Sequence, residues 1–90
     1  MENTKLINGI EYPVRIAHRA MIEYERLTKK PASQVETLED ATALMYCGIK
    51  AGARKAALPF KMAFEDFIDF VDENPEILKG EEPTEPAKKN

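Results

Sequence analysis

The stretch LINGIEYPVRI, residues 6–16, decides the fold, because it is the one segment of this chain whose pattern is typical of β-structure. Asn8-Gly9 is the residue pair that most readily adopts the positive φ angles of a type I′ turn. After the turn, apolar residues alternate with Glu11 and Arg15, which predicts a strand with one buried face. The sequence therefore predicts an N-terminal β-hairpin.

A hairpin of this kind needs a neighbour. An isolated two-stranded ribbon is marginally stable in water, so it must pack on the helices, pair its edge with another chain, or do both. Pro13 has no N–H to donate to a strand ladder, which places its strand at an edge. Tyr12 and Pro13 are therefore candidate contacts for a partner chain.

The residues that follow the hairpin predict a helix over 17–29. Its apolar stripe, at the 3.6-residue period of a helix, is expected to face the core and contains Ala17, Ala20, Met21, Tyr24, Leu27 and Thr28. On the opposite side Ile22 lies among charged residues that include Arg26. Ile22 is either a scattered apolar surface residue or, with Arg26, a contact for a partner.

A loop that contains Pro31 separates this helix from a second one, which Thr37 opens as the N-cap by accepting from the amide of Asp40. The second helix is expected to be central, with a face of small and apolar residues that admits a close neighbour: Leu38, Ala41, Met45, Gly48, Ile49 and Gly52. Gly52 is a candidate end of the helix, and a longer helix reaching toward Pro59 is the alternative.

A third helix is predicted over 64–73, with Phe64, Phe67, Ile68 and Val71 on its buried side and Phe70 at the margin of that side. Asn74-Pro75 restarts a helical turn, from which Ile77 and Leu78 are expected to fold back onto the core.

The fold class predicted from these elements is α+β, mainly α, with the hairpin packed on a three- to four-helix bundle. Residues 1–79 form the single domain. Residues 80–90 contain no large apolar side chain and are expected to be a disordered tail.

Composition excludes several classes of function. The net charge of −3, with both signs interspersed, provides no long-range attraction to nucleic acid. No apolar run approaches the roughly 18–20 residues of a membrane span. One cysteine and a first segment without the apolar core of a secretion signal favour the reducing cytoplasm.

The sequence also contains no constellation of residues for catalysis, so we expect neither an enzyme nor a bound cofactor or metal. His18 is predicted to be a solvated surface imidazole, and Cys47 a packed, inert thiol. The acids of the third helix, among them Asp69, form a solvated face, with a basic partner surface as the alternative. Asp69 and its neighbour Phe70 are therefore further candidate binding residues.

The order of INGIEYPVRI, MIEYERLTKK, TLEDATALMYCGIKAG and FEDFIDFVDENPEIL resembles that of the tail assembly chaperones of long-tailed bacteriophages. The resemblance covers residues 6–78. It implies a non-catalytic protein of the host cytoplasm, absent from the mature virion. Such a protein coats the tape measure protein and keeps it soluble until the tail tube polymerises, and self-association is expected of it.

In that family a ribosomal frameshift often adds a longer form, which implies contact with the tail tube protein. Lys88-Lys89 is a candidate slippage site, since two lysine codons can form a run of adenines. The alternative function is a small helical adaptor or regulator of bacterial origin, with no connection to phages.

Overall fold

The computed structural model describes residues 3–78. The elements, in chain order, are β1 (Asn3–Ile7), β2 (Ile10–Val14), α1 (His18–Thr28), α2 (Leu38–Lys55), α3 (Phe64–Glu73) and a 3₁₀ turn (Pro75–Leu78). The hairpin packs on three helices in a mainly helical arrangement, which confirms the predicted fold class. The predicted tail, residues 80–90, lies outside the described residues.

The hairpin turn is the predicted one, since Asn8 and Gly9 have φ angles of 52° and 84°. The strands pair antiparallel with Ile7 opposite Ile10. Ile7 and Tyr12 are buried, but Ile10 is 45% exposed. The alternation after the turn assigns Ile10 to the same buried face as Tyr12; this was wrong, because the packing that buries its paired residue Ile7 leaves nearly half of Ile10 in water.

The free backbone edge of β2 lies directly on α2. The amide of Arg15 donates to the carbonyl of Gly48 over 3.0 Å, and the carbonyl of Pro13 lies so close to Gly52 that a Cβ there would overlap it. A Cβ on Gly48 would meet the side chains of Val14 and Ile16. The small-residue face therefore admits a neighbouring backbone, as predicted, and that backbone is β2 and the residues after it.

The predicted buried face of α1 is confirmed at its centre, where Ala20 and Tyr24 are fully buried. Met21 and Leu27, at the two margins of the stripe, remain about 40% exposed (42% and 39%). The helix ends at Lys29, whose backbone adopts the left-handed conformation with φ 62°.

Helix α2 is buried on nearly all sides, as expected of a central helix. It continues past Gly52 to Lys55, so the longer of the two predicted helices forms. Leu38 is 76% exposed, and its predicted burial was wrong, because no described element packs over this first helical residue. Within residues 3–78, no helix is long and apolar enough to cross a membrane.

The start of α2 is fixed by a buried carboxylate. The Thr37 hydroxyl accepts from the amide of Asp40, as predicted, and Asp40 in turn accepts from the amides of Glu36 and Thr37. The Lys30 ammonium donates to Asp40 over 2.9 Å. The Lys30 hydrogen bond, followed by the amide bonds, lowers the pKa of Asp40 from 3.8 to about 2.

Helix α3 has the predicted bounds, and Phe67 is its fully buried anchor, whereas Phe64 and Phe70 are half-buried. The Tyr46 ring lies between Phe64 and Phe67, with centroid distances of 5.2 and 5.4 Å. Ile77 and Leu78 are buried beyond the helix, which confirms that the last turn folds back.

Gly52→Ala should lower the free energy of unfolding by about 2 kcal/mol or more, since the new methyl group would displace the backbone of Pro13. Gly48→Ala is the matched control. Its methyl group meets only side chains, and the better helix propensity of alanine offsets that crowding, so the expected change is within about 1 kcal/mol. Urea denaturation of both variants measures the difference, and equal costs would contradict the docking described above.

Lys30→Met should raise the pKa of Asp40 from about 2 toward 3.8, because it removes the main cause of the lowered value. A carboxyl whose pKa is lowered by folding contributes stability above its unfolded pKa and loses it as the pH falls through the folded pKa. The wild type should therefore be more stable than the variant at pH 7, and this advantage should disappear between about pH 4 and pH 2.

Carbon-detected NMR titration of Asp40 and denaturation at several pH values provide the measurement. Lys29→Met is the control, because the Lys29 ammonium donates to the carbonyl of Arg26 and not to Asp40. An Asp40 titration that is the same in both variants would exclude Lys30 as the cause.

Candidate functional site

The two residues considered for chemistry occupy opposite environments. His18 is exposed at the start of α1. Cys47 is 1% exposed, and burial, followed by the charge of Glu23, raises the pKa of its thiol to about 12. Within residues 3–78, no three side chains of the types that bind metals lie close enough to hold an ion. These residues therefore offer no reactive thiolate at neutral pH.

The six predicted binding residues lie on three different elements. Ile22, which is half-buried, and Arg26, which is exposed, are one turn apart on α1. On α3, Asp69 is exposed and Phe70 half-buried. The remaining pair, Tyr12 and Pro13, is on β2.

Tyr12 and Pro13 belong to the packed side of the hairpin. Tyr12 is 6% exposed, and its hydroxyl donates to the carbonyl of Pro59 over 3.2 Å. Its ring meets Phe60 edge-on at 5.1 Å. The carbonyl of Pro13 is covered by Gly52. The β2 edge is therefore occupied by this chain's own helix, and the outer edge of the two-stranded sheet is that of β1.

A groove of about 340 Å³ runs between α1 and the C-terminal half of α2. Arg19, Lys50 and Arg54 line it, and Glu23, which pairs with Arg19 at 3.4 Å, lies among them. Lys50 also stands over the ring of Tyr46, 5.5 Å from its centroid. The groove is therefore lined by three basic side chains and one acidic one, and two of these four, Arg19 and Glu23, form an ion pair.

A second depression is apolar, and lies between the first turns of α2 and the middle of α3. It has a volume of about 320 Å³ and is named here the α2–α3 cleft; its lining residues are Leu38, Glu39, Thr42, Ile68, Val71 and Asp72. Leu38, at 76%, is the most exposed large apolar side chain of the described residues. Glu39 and Asp72 are exposed carboxylates at its border.

The α2–α3 cleft was not found from the sequence. The helical periods of α2 and α3 assign Leu38, Ile68 and Val71 to the core, and periodicity does not reveal which of these residues another element covers. The only available signal is the position of Leu38, which directly follows the N-cap Thr37 and is therefore at the very end of its helix.

The comparisons with known proteins add no relative. No protein-family model, curated protein or solved structure matches the chain. The resemblance to tail assembly chaperones therefore depends on the sequence segments given above.

Cys47 should not react with a thiol reagent in the native protein at pH 8, because burial keeps it protonated and out of contact. In urea the same thiol should react completely at the rate of an unfolded cysteine. Ellman's reagent measures both rates. Fast labelling of the folded protein, at a rate independent of its stability, would contradict the buried placement.

Proposed function

We propose that this protein is a tail assembly chaperone, which binds the tape measure protein of a long-tailed phage or prophage and keeps it soluble in the host cytoplasm before tube assembly. The proposal combines the resemblance over residues 6–78 with the apolar surface of the folded protein. The function requires adhesion to a long client and no chemical reaction. A frameshift-extended form would add contact with the tail tube protein.

The observation that carries the proposal is the exposure of large apolar side chains outside the core. They belong to four elements, namely β1, β2, α1 and α2, and are Leu6, Ile10, Met21, Leu27 and Leu38. In contrast, the described side chains contain no buried polar atom without a hydrogen-bond partner. The described interior is thus well satisfied, and the apolar area that remains in water is area that a bound client could cover, which supports the proposal.

The test is co-expression with the product of a long, coiled-coil-forming reading frame near its gene. We expect the soluble fraction of that product to increase several-fold and the two proteins to co-purify, since a bound chaperone covers apolar client surface. An unrelated coiled-coil protein of similar length, co-expressed in the same way, is the control. No co-purification, with an unchanged soluble fraction, would reject the proposed function.

A further inference from the structure

We infer that the α2–α3 cleft is a docking site for an amphipathic helix whose apolar stripe is flanked by lysine or arginine. This inference names the chemistry of the partner and rests on the proposed function only where that partner is identified with the client. The cleft lies between two helices, and a groove of that kind is a usual receptor for a third helix.

The α2–α3 cleft has apolar walls. Leu38 stands at one side, and Ile68 and Val71, one turn apart on α3, form the other. Leu38 keeps 76% of its surface in water although it belongs to a well-capped helix, so its exposure results from a missing neighbour and not from a frayed end. Val71 is already buried, so a partner's leucine or phenylalanine placed here would remove mainly Leu38 and the exposed part of Ile68 from water.

The border of the α2–α3 cleft carries acidic side chains. Glu39 on α2 and Asp72 on α3 border the cleft from its two helices. Glu65 and Asp69 continue the Asp72 side, since spacings of four and three residues align them along α3. Neither ion pair found in the described residues involves these four acids. The border is therefore negatively charged, with its acids in neither of these ion pairs, and it favours a partner with cations beside its apolar stripe.

The composition of residues 79–90 does not suit the α2–α3 cleft. Residues 79–90, KGEEPTEPAKKN, contain no leucine, isoleucine, valine, methionine or aromatic residue. They have no side chain with which to fill an apolar cleft, and their glutamates would meet the acids at its border. Residues 79–90 are therefore excluded as the occupant, and the partner that fits the walls and the border is a helix that is apolar on one face and basic beside it.

The probe is a synthetic helix of about 18 residues, long enough to be partly helical alone, with leucines along one face and lysines on both sides of that face. Two control peptides accompany it, one with the leucine positions scrambled and one with glutamate in place of lysine. Fluorescence anisotropy against the folded protein at low and high salt should show binding of the lysine peptide only, weakening as salt increases.

Two variants test the cleft without endangering the fold. Leu38→Asp removes the exposed wall at the first helical position, where a negative charge favours the helix, and should weaken binding by about tenfold or more. Asp72→Lys should weaken it by about threefold or more and reduce the salt dependence. Leu6→Asp and Asp66→Lys, at exposed positions outside the cleft, are the matched controls and should leave the affinity within about twofold.

Binding of the scrambled peptide as tight as that of the amphipathic one would overturn the inference, as would wild-type affinity in Leu38→Asp. The same variants separate this inference from the proposed function. If the tape measure protein co-purifies equally with wild type and Leu38→Asp, the cleft is not the client site and the function stands. If the peptide binds in the cleft and no tape measure protein does, the cleft stands and the function fails.

Discussion

The docking of β2 against α2 is the interaction on which the rest of the structure depends. A two-stranded hairpin has too little area to be stable alone, and here one of its two edges is closed by a helix instead of a third strand. This is possible because Gly52 leaves space for the backbone of Pro13, while Gly48, one turn earlier on the same face of α2, accepts from the amide of Arg15. The contact fixes the hairpin on the central helix, against which α1 and α3 also pack.

The three tyrosines of the chain then hold its irregular segments in place. Tyr12 donates to the carbonyl of Pro59, Tyr24 to that of Gln34 and Tyr46 to that of Met62. Each ring is buried while its hydroxyl supplies a partner for a loop carbonyl that no helix or strand satisfies. This arrangement gives the connections before and after α2 a defined course. It also explains how a small core can include two loops that contain proline.

The proposed docking surface lies between α2 and α3. α2 is the longest of the described helices and is covered over most of its length, but its first residue, Leu38, is left exposed. The α2–α3 cleft lies beside Leu38 and is bordered by acids from both helices. The two side chains considered for chemistry do not line this cleft. Cys47 is buried, and His18 is exposed on α1. The α2–α3 cleft is thus the surface proposed here for binding a partner helix.

The sequence by itself determined the local structure: the Asn8-Gly9 turn and the Thr37 cap follow from preferences of a few adjacent residues, and α3 follows from its apolar period. The tertiary structure decided the rest. Leu38 and Ile10 match an apolar period but remain exposed, whereas Tyr12 and Pro13 are edge residues by sequence but are covered by the chain's own helix. Burial depends on which element lies opposite, and that partner is chosen by contacts between residues far apart in the chain, which no local pattern records.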